Sequence, residues 1–113
     1  MTLEEAVRDS LATVSGATLV SAHAARAGEA VKLLRAAEGE IVVLLIDSSI
    51  PPIDRAMLIA AIGHLAIEKA PQARIGAIDV VAGAAPGDVA AAARFLAGAR
   101  STTGQVLTVA AES

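Results

Sequence analysis

Ile41-Val-Val-Leu-Leu-Ile46 is an unbroken run of β-branched and leucine side chains, followed by Asp47-Ser-Ser49. A run this short does not make a buried helix, and it is typical of a strand covered on both faces, as in parallel sheets. Working outward, Ile75 to Val81 reads the same way apart from Asp79, and Gln105 to Ala110 forms a final strand. Between the first two strands, Asp54 can cap a helix running to about Lys69 and stopped by Pro71. Pro86, at a first-turn position with Asp88 behind it, starts the last helix.

Towards the N-terminus, Thr2-x-x-Glu5 is a capping box, and Leu3, Val7, Leu11 and Val14 repeat at helical spacing. The alanine-rich stretch from Gly16 to Ala37, with Val31 and Leu34, reads as more helix, either one long helix or a broken pair. Gly16 and Gly28 each cost about 1 kcal/mol against alanine there. The order helix, strand, helix, strand, helix, strand predicts one α/β domain over residues 1–113. Its sheet is expected to be three-stranded and parallel, with helical crossovers, in a two- or three-layer, truncated Rossmann-like arrangement.

Composition narrows the function classes. A chain of 113 residues can bury a real core without disulfide or metal staples. Apolar residues make up 55% of it, yet Phe95 is its single aromatic side chain, so the core must be Ala, Val, Leu and Ile and base stacking has no platform. A net charge of −3 with no basic run gives no field that would attract nucleic acid or an anionic membrane. There is no cysteine, hence neither a disulfide framework nor a thiolate site. The run from Ile41 to Ile46 falls far short of the roughly 20 residues that cross a bilayer. No basic segment followed by an apolar one opens the chain, so a cytoplasmic location is the default expectation.

The last quarter, Gly87-Asp-Val-Ala-Ala-Ala-Ala-Arg-Phe-Leu-Ala-Gly98 followed by Thr103-Gly-Gln-Val-Leu-Thr-Val-Ala110, resembles the closing helix and strand of the short-chain dehydrogenase/reductase family. Ile41 to Ile50 is similar to that family's strand ending in its catalytic serine. Ala56-Met-Leu-Ile through Glu68-Lys-Ala-Pro71 is similar to the helix that follows, and Arg74 to Gly83 continues the likeness. It covers nearly the whole chain but only the second half of the family's fold. The family binds its dinucleotide on a glycine-rich turn and reacts through a Tyr-x-x-x-Lys pair. Here no strand is followed by such a turn, tyrosine is absent, and the resemblance puts Pro51 at the tyrosine position and Arg55 at the lysine position. An arginine fork does not reproduce the point charge of a lysine. The family's asparagine falls near Thr13, its proline-glycine loop shrinks to Ala82-Gly83, and Ser49 alone matches the catalytic set. The resemblance also implies a last helix on the sheet face opposite the first two helical segments.

The candidate sites follow from these positions. Asp47 and Ser49 stand at the carboxyl end of a parallel strand, where open α/β sheets bind ligands, and Arg55 could hold an anionic group beside them. The competing readings are a strand-ending Asp-Ser turn and an arginine facing Asp54 or Asp47. Asp79 in an apolar strand must find a partner, for which a helix N-terminus, another subunit's arginine or water would serve. A nucleophilic serine needs a base, and the histidines, His23 and His64, lie in helical segments. No metal-ligand spacing is present. The Gly83-to-Gly87 loop before the last helix is a generic anion seat, or simply a loop.

Two features point to association. The strand 41–46, without neighbours on one side, would become an unprotected apolar edge. The helix from Ala56 to Ile67 is apolar almost all round, so Met57, Leu58, Ile59, Ile62, His64 and Leu65 are expected to form an interface; in the resembled family the corresponding helices build a four-helix bundle between subunits. The expectation is a catalytically inactive structural subunit, a homo-oligomer (dimer or tetramer) or a companion of a full-length dehydrogenase. Two alternatives stand beside it, namely an accessory subunit of an NAD(P)-dependent oxidoreductase and a small-ligand binder at the strand ends. The chain alone is expected to take no cofactor, with NAD(P) entering only if a partner supplies the nucleotide-binding half.

Overall fold

The computed structural model describes residues 2–22, 27–99 and 103–111. The elements run α1 (Leu3–Leu11), β1 (Ala17–Ala22), α2 (Ala27–Ala36), β2 (Ile41–Ile46), α3 (Pro52–Lys69), β3 (Arg74–Val80), α4 (Pro86–Gly98) and β4 (Gln105–Val109). All strand pairs are parallel, and the sheet order is β1-β2-β3-β4. Helices cover both faces, which makes a three-layer, Rossmann-like α/β domain.

The strand count corrects the sequence reading. Residues 17–22 sit in the stretch read as helix, but Ala-Thr-Leu-Val-Ser-Ala pairs residue by residue with Ile41 to Ile46. The alanine-rich surroundings favour helix, but these six residues have no strong preference of their own, and the pairing decides them. Helix α1 stops at Leu11 with Ala12 as its C-cap, and Gly16, at φ 80, leads into β1 in a left-handed conformation that a helix cannot pass through. A second correction follows at once. Strand β2 is not an edge, because β1 and β3 flank it and every residue from Ile41 to Ile46 is buried. The edges are β1 and β4.

Alternation along the strands divides the core in two. Val20, Val42, Leu44, Ile46, Ile75 and Ala77 face α2 and α3, meeting Leu34, Leu58, Ile62 and Leu65. Ile41, Val43, Leu45, Ile78 and Val80 face α1 and α4, meeting Val7, Leu11, Val89 and Leu96. Gly76 belongs to this second face, where an added Cβ would lie 3.1 Å from Leu96.

The last helix does lie opposite α3, as the resemblance implies, but the first helix does not join α3. Helix α1 packs on α4, while α2 shares the face of α3. Because the strands follow one another in a single direction across the sheet, placing α4 on the other face gives β3–α4–β4 the opposite hand to β1–α2–β2 and β2–α3–β3. One of the two kinds must therefore break the common right-handed rule.

Helix ends show how the layers are tied. Thr2 Oγ1 accepts from Glu5 N at 3.1 Å, the N-cap expected from the sequence. Helix α3 begins at Pro52, two residues before the expected Asp54 cap, with Asp54 inside its first turn. At its other end, Lys69 Nζ donates to Ala37 O at 2.9 Å and Glu68 pairs with Arg35 at 3.0 Å, joining α3 to α2. Arg74 donates to Ala99 O at 2.7 Å and Ala97 O at 3.3 Å, setting a positive charge at the carbonyl end of α4.

The expected interface residues split by the same geometry. Leu58, Ile62 and Leu65 are fully buried against the sheet, and Ile59 is half-buried on that core, so these four serve the domain interior and not an outer face. Met57 and His64 are exposed. The apolar residues that do point outward are Ile53, Met57 and Ile67, at 77%, 59% and 79% exposure.

Candidate functional site at the carboxyl ends of strands β2 and β3

Strand β2 ends in a turn built by Asp47. Its carboxylate accepts from Ser49 N at 3.2 Å and from the Ser49 hydroxyl, and its carbonyl accepts from Ile50 N at 3.1 Å. This is the side-chain-to-backbone closure that makes aspartate common at such positions. The hydroxyl of Ser49 is thus directed at Asp47, and Ser48 and Ser49 are exposed.

One turn into α3, Arg55 reaches back over the sheet. Its Nη1 donates to Asp79 Oδ1 and to Val80 O at 3.3 Å, and its Nη2 to Asp47 O at 2.8 Å and Ile50 O at 3.4 Å. The side chains of Arg55 and Asp79 are only 20% and 15% exposed. Charge-assisted bonds in such a partly dried setting are the strong kind. Thr108 Oγ1 lies 3.5 Å from the second Asp79 oxygen, the outer limit for a hydrogen bond.

Asp47, Ser49 and Arg55 are therefore gathered at the carboxyl ends of β2 and β3, as the sequence suggested. What the sequence reading missed is the partnership of Arg55 with Asp79. The signal was available in the βαβ arrangement, which sets the first turn of the crossover helix above the ends of both strands. A cation in that turn then meets an anion near the end of the next strand. The competing expectation for Arg55, pairing with Asp54 or Asp47 carboxylates, is replaced by Asp79 and backbone carbonyls.

Beside this pair lies a cleft of about 280 Å³ whose walls include Ser48, Pro52, Arg55, Asp79 and Ala82. It is small for a dinucleotide and open to solvent. Other expected members are elsewhere. Thr13 sits in the turn between α1 and β1, at the amino end of the sheet, far from Ser49. His64 is on the outer surface of α3, twelve residues after Pro52 and so about 18 Å along the axis. His23 lies outside the described residues. Among the described residues no group of three His, Cys, Asp or Glu side chains could hold a metal ion, and no helix is long and apolar enough to cross a membrane.

Chemically the arrangement is a closed circuit. The guanidinium fork meets a carboxylate and three carbonyl oxygens, and the serine hydroxyl meets a second carboxylate. The four bonds of Arg55 run from Nη1 and Nη2 to protein acceptors, and Arg55 also forms part of the cleft wall.

No curated protein matches this sequence. A family model described as short chain dehydrogenase-like protein matches residues 6–109, from within α1 to the end of β4. With the parallel sheet, the flanking helices and the opposed crossover of α4 already in view, the chain belongs to the short chain dehydrogenase-like family.

Proposed function

We propose that this chain is a non-catalytic member of its family that works as a self-associating structural subunit. The observation that carries this reading is the outer face of α3. Ile53, Met57, Ala60, His64 and Ile67 are all exposed and follow one another at intervals of four, three, four and three residues. That is the 3.5-residue repeat of a helix seam, on a helix whose opposite side already packs on the sheet. The seam is self-complementary. A second copy set antiparallel about Ala60 opposes Ile53 to Ile67, Met57 to Gly63 and Ala56 to His64, so each Met57 lies one residue from the other copy's His64 and the small Ala56 and Gly63 permit a close approach. Burying side chains of this size is worth about 1.5 to 3 kcal/mol each.

The catalytic half of the proposal is supported by Arg55. A residue engaged by Asp79 and three carbonyls is poorly placed to hold a cofactor or tune an acid, and the chain contains no tyrosine.

The test is the solution mass by light scattering, for the parent and for Met57→Glu/Ile67→Glu. The expected result is an oligomer that loses its α3 contact in the variant while the helical circular dichroism is retained. A parent that is monomeric at tens of micromolar would remove the self-association reading.

The exposure of Ser48 and Ser49 at the strand ends favours one alternative, an accessory subunit of an NAD(P)-dependent oxidoreductase completed by a separate chain. In that case Ser49→Ala would lower the activity of the complex, and unchanged activity would discard it.

A further inference from the structure

Strand β1 has an unpartnered outer edge among the described residues. Asp47 N donates to Ala22 O at 3.3 Å and Ile41 N to Gly16 O at 3.1 Å, so the even-numbered residues of this segment turn their backbone groups towards β2. Parallel pairing alternates, which turns Ala17, Leu19 and Ser21 outward. Ala17 N already donates to Val14 O at 3.3 Å. The carbonyl of Ala17 and both backbone groups of Leu19 and Ser21 then point away from the sheet. Natural edges are normally blunted by a charge, a proline or a bulge, and Ala17 to Ala22 has none.

Two further observations bear on what pairs there. A cleft of about 430 Å³ straddles the edge, walled by Glu4 of α1 on one sheet face and by Leu33, Ala36 and Ala37 of α2 on the other. Leu33 is 49% exposed within it. The hydroxyl oxygen of Ser21, which also lines the cleft, is buried and has no hydrogen-bond partner among the described residues.

We propose that β1 pairs with β1 of a second copy, antiparallel about a two-fold axis at Leu19, so that two four-stranded sheets become one. In that register Leu19 exchanges two hydrogen bonds with its mate, and each Ser21 N–H donates to the other copy's Ala17 carbonyl. The one outward N–H already used, that of Ala17, is not required by these bonds. The charges agree with the same register. Glu4 stands beside Ser21, and Arg8 stands beside Ala17, where it lines the neighbouring cleft with Leu19. Opposing Ser21 to Ala17 across the axis therefore opposes Glu4 to Arg8 and Arg8 to Glu4. The intrachain Arg8–Glu4 pair, at 3.2 Å, becomes half of an alternating four-charge cluster. On the α2 face the two exposed Leu33 side chains approach each other across the axis. A parallel strand from an unrelated chain would satisfy the backbone groups but gains nothing from this charge order.

This inference is independent of the α3 seam, which lies on a different surface, so it is tested in the Met57→Glu/Ile67→Glu background. The chain has no cysteine, which makes single introduced cysteines specific reporters. Residues facing each other in a hydrogen-bonded antiparallel pair have Cα atoms about 5.5 Å apart, within disulfide reach. Under mild oxidation Leu19→Cys should cross-link to a covalent dimer. Ala17→Cys should not, because its two copies are separated by four residues of strand, roughly 14 Å. Should Leu19→Cys perturb folding, charge exchange gives a second reading. Glu4→Arg and Arg8→Glu should each lower the dimer fraction several-fold, and the double exchange should restore it. No cross-link at position 19, equal cross-linking at positions 17 and 19, or no rescue by the double exchange would each overturn the proposal.

Discussion

Replacing Arg55 by methionine is the sharpest probe of the site, because the structure says what each lost contact is worth. The substitution removes the ion pair to Asp79 and the donors that reach Asp47 O, Ile50 O and Val80 O, while keeping most of the side chain's apolar stem. Breaking a buried pair by deleting one partner costs about 3 to 5 kcal/mol, chiefly because the remaining charge is stranded. Asp79 keeps 15% exposure and lies near Thr108, so water relieves part of this and the lower end applies, about 3 kcal/mol. Asp79→Leu leaves Arg55 with three carbonyl acceptors and should cost less, about 2 kcal/mol. The double variant should fall short of the sum by about 2 kcal/mol, the coupling of the pair. Denaturant titration of the four proteins with a shared slope measures each value. For a domain of this size 1 kcal/mol moves Tm by about 4 °C, so Arg55→Met should lose about 12 °C. A loss under 0.5 kcal/mol for Arg55→Met, or a coupling near zero, would mean that Arg55 is not held as described and is available for a ligand.

Two further substitution pairs test the fold that positions the site. Leu58→Ala, at a fully buried position, should cost about 3 kcal/mol, whereas Met57→Ala on the outer face should change monomer stability by less than about 0.5 kcal/mol; equal losses in thermal melts would contradict the assigned faces of α3. Gly39→Ala should cost more than about 2 kcal/mol, since Gly39 has φ 135 and an added Cβ would lie 2.7 Å from Gly16 O. Gly87→Ala, in the first turn of α4 with nothing within 4 Å of the added carbon, should raise stability by about 0.5 kcal/mol by the same assay.

The legibility of this chain depended on how strongly each segment's own residues spoke. Ile41 to Ile46 announced a doubly covered strand, and Thr2, Pro71 and Pro86 announced helix limits, because apolar runs, caps and prolines act locally. Strand β1 was illegible for a physical reason. Ala-Thr-Leu-Val-Ser-Ala has no strong preference of its own, and only the register with β2, supplied by residues twenty-four positions later, makes it a strand. That omission displaced the edge by one strand and moved the predicted association surface with it. Helix α3 misled in a related way. Its sequence is apolar on every side, so composition could not say which leucines face the sheet; packing assigns Leu58, Ile62 and Leu65 inward and leaves Ile53, Met57 and Ile67 outside.

The position that the family resemblance gives to a lysine is occupied here by a residue suited to a different task. Around the carboxyl ends of β2 and β3, Asp47 O, Ile50 O and Val80 O converge on the Arg55 guanidinium. A lysine ammonium gathers acceptors around a point, whereas the guanidinium fork spans two strand ends at once. Arg55 therefore fastens the first turn of α3 to both β2 and β3, and Lys69 and Glu68 fasten its last turn to α2. Held at both ends, α3 has little freedom to shift over the sheet, and its outer stripe is presented at a set height and angle. Preorganised surfaces bind better because less freedom is lost on contact. If the outer stripe of α3 is the assembly face proposed above, Arg55 couples the carboxyl ends of β2 and β3 to it.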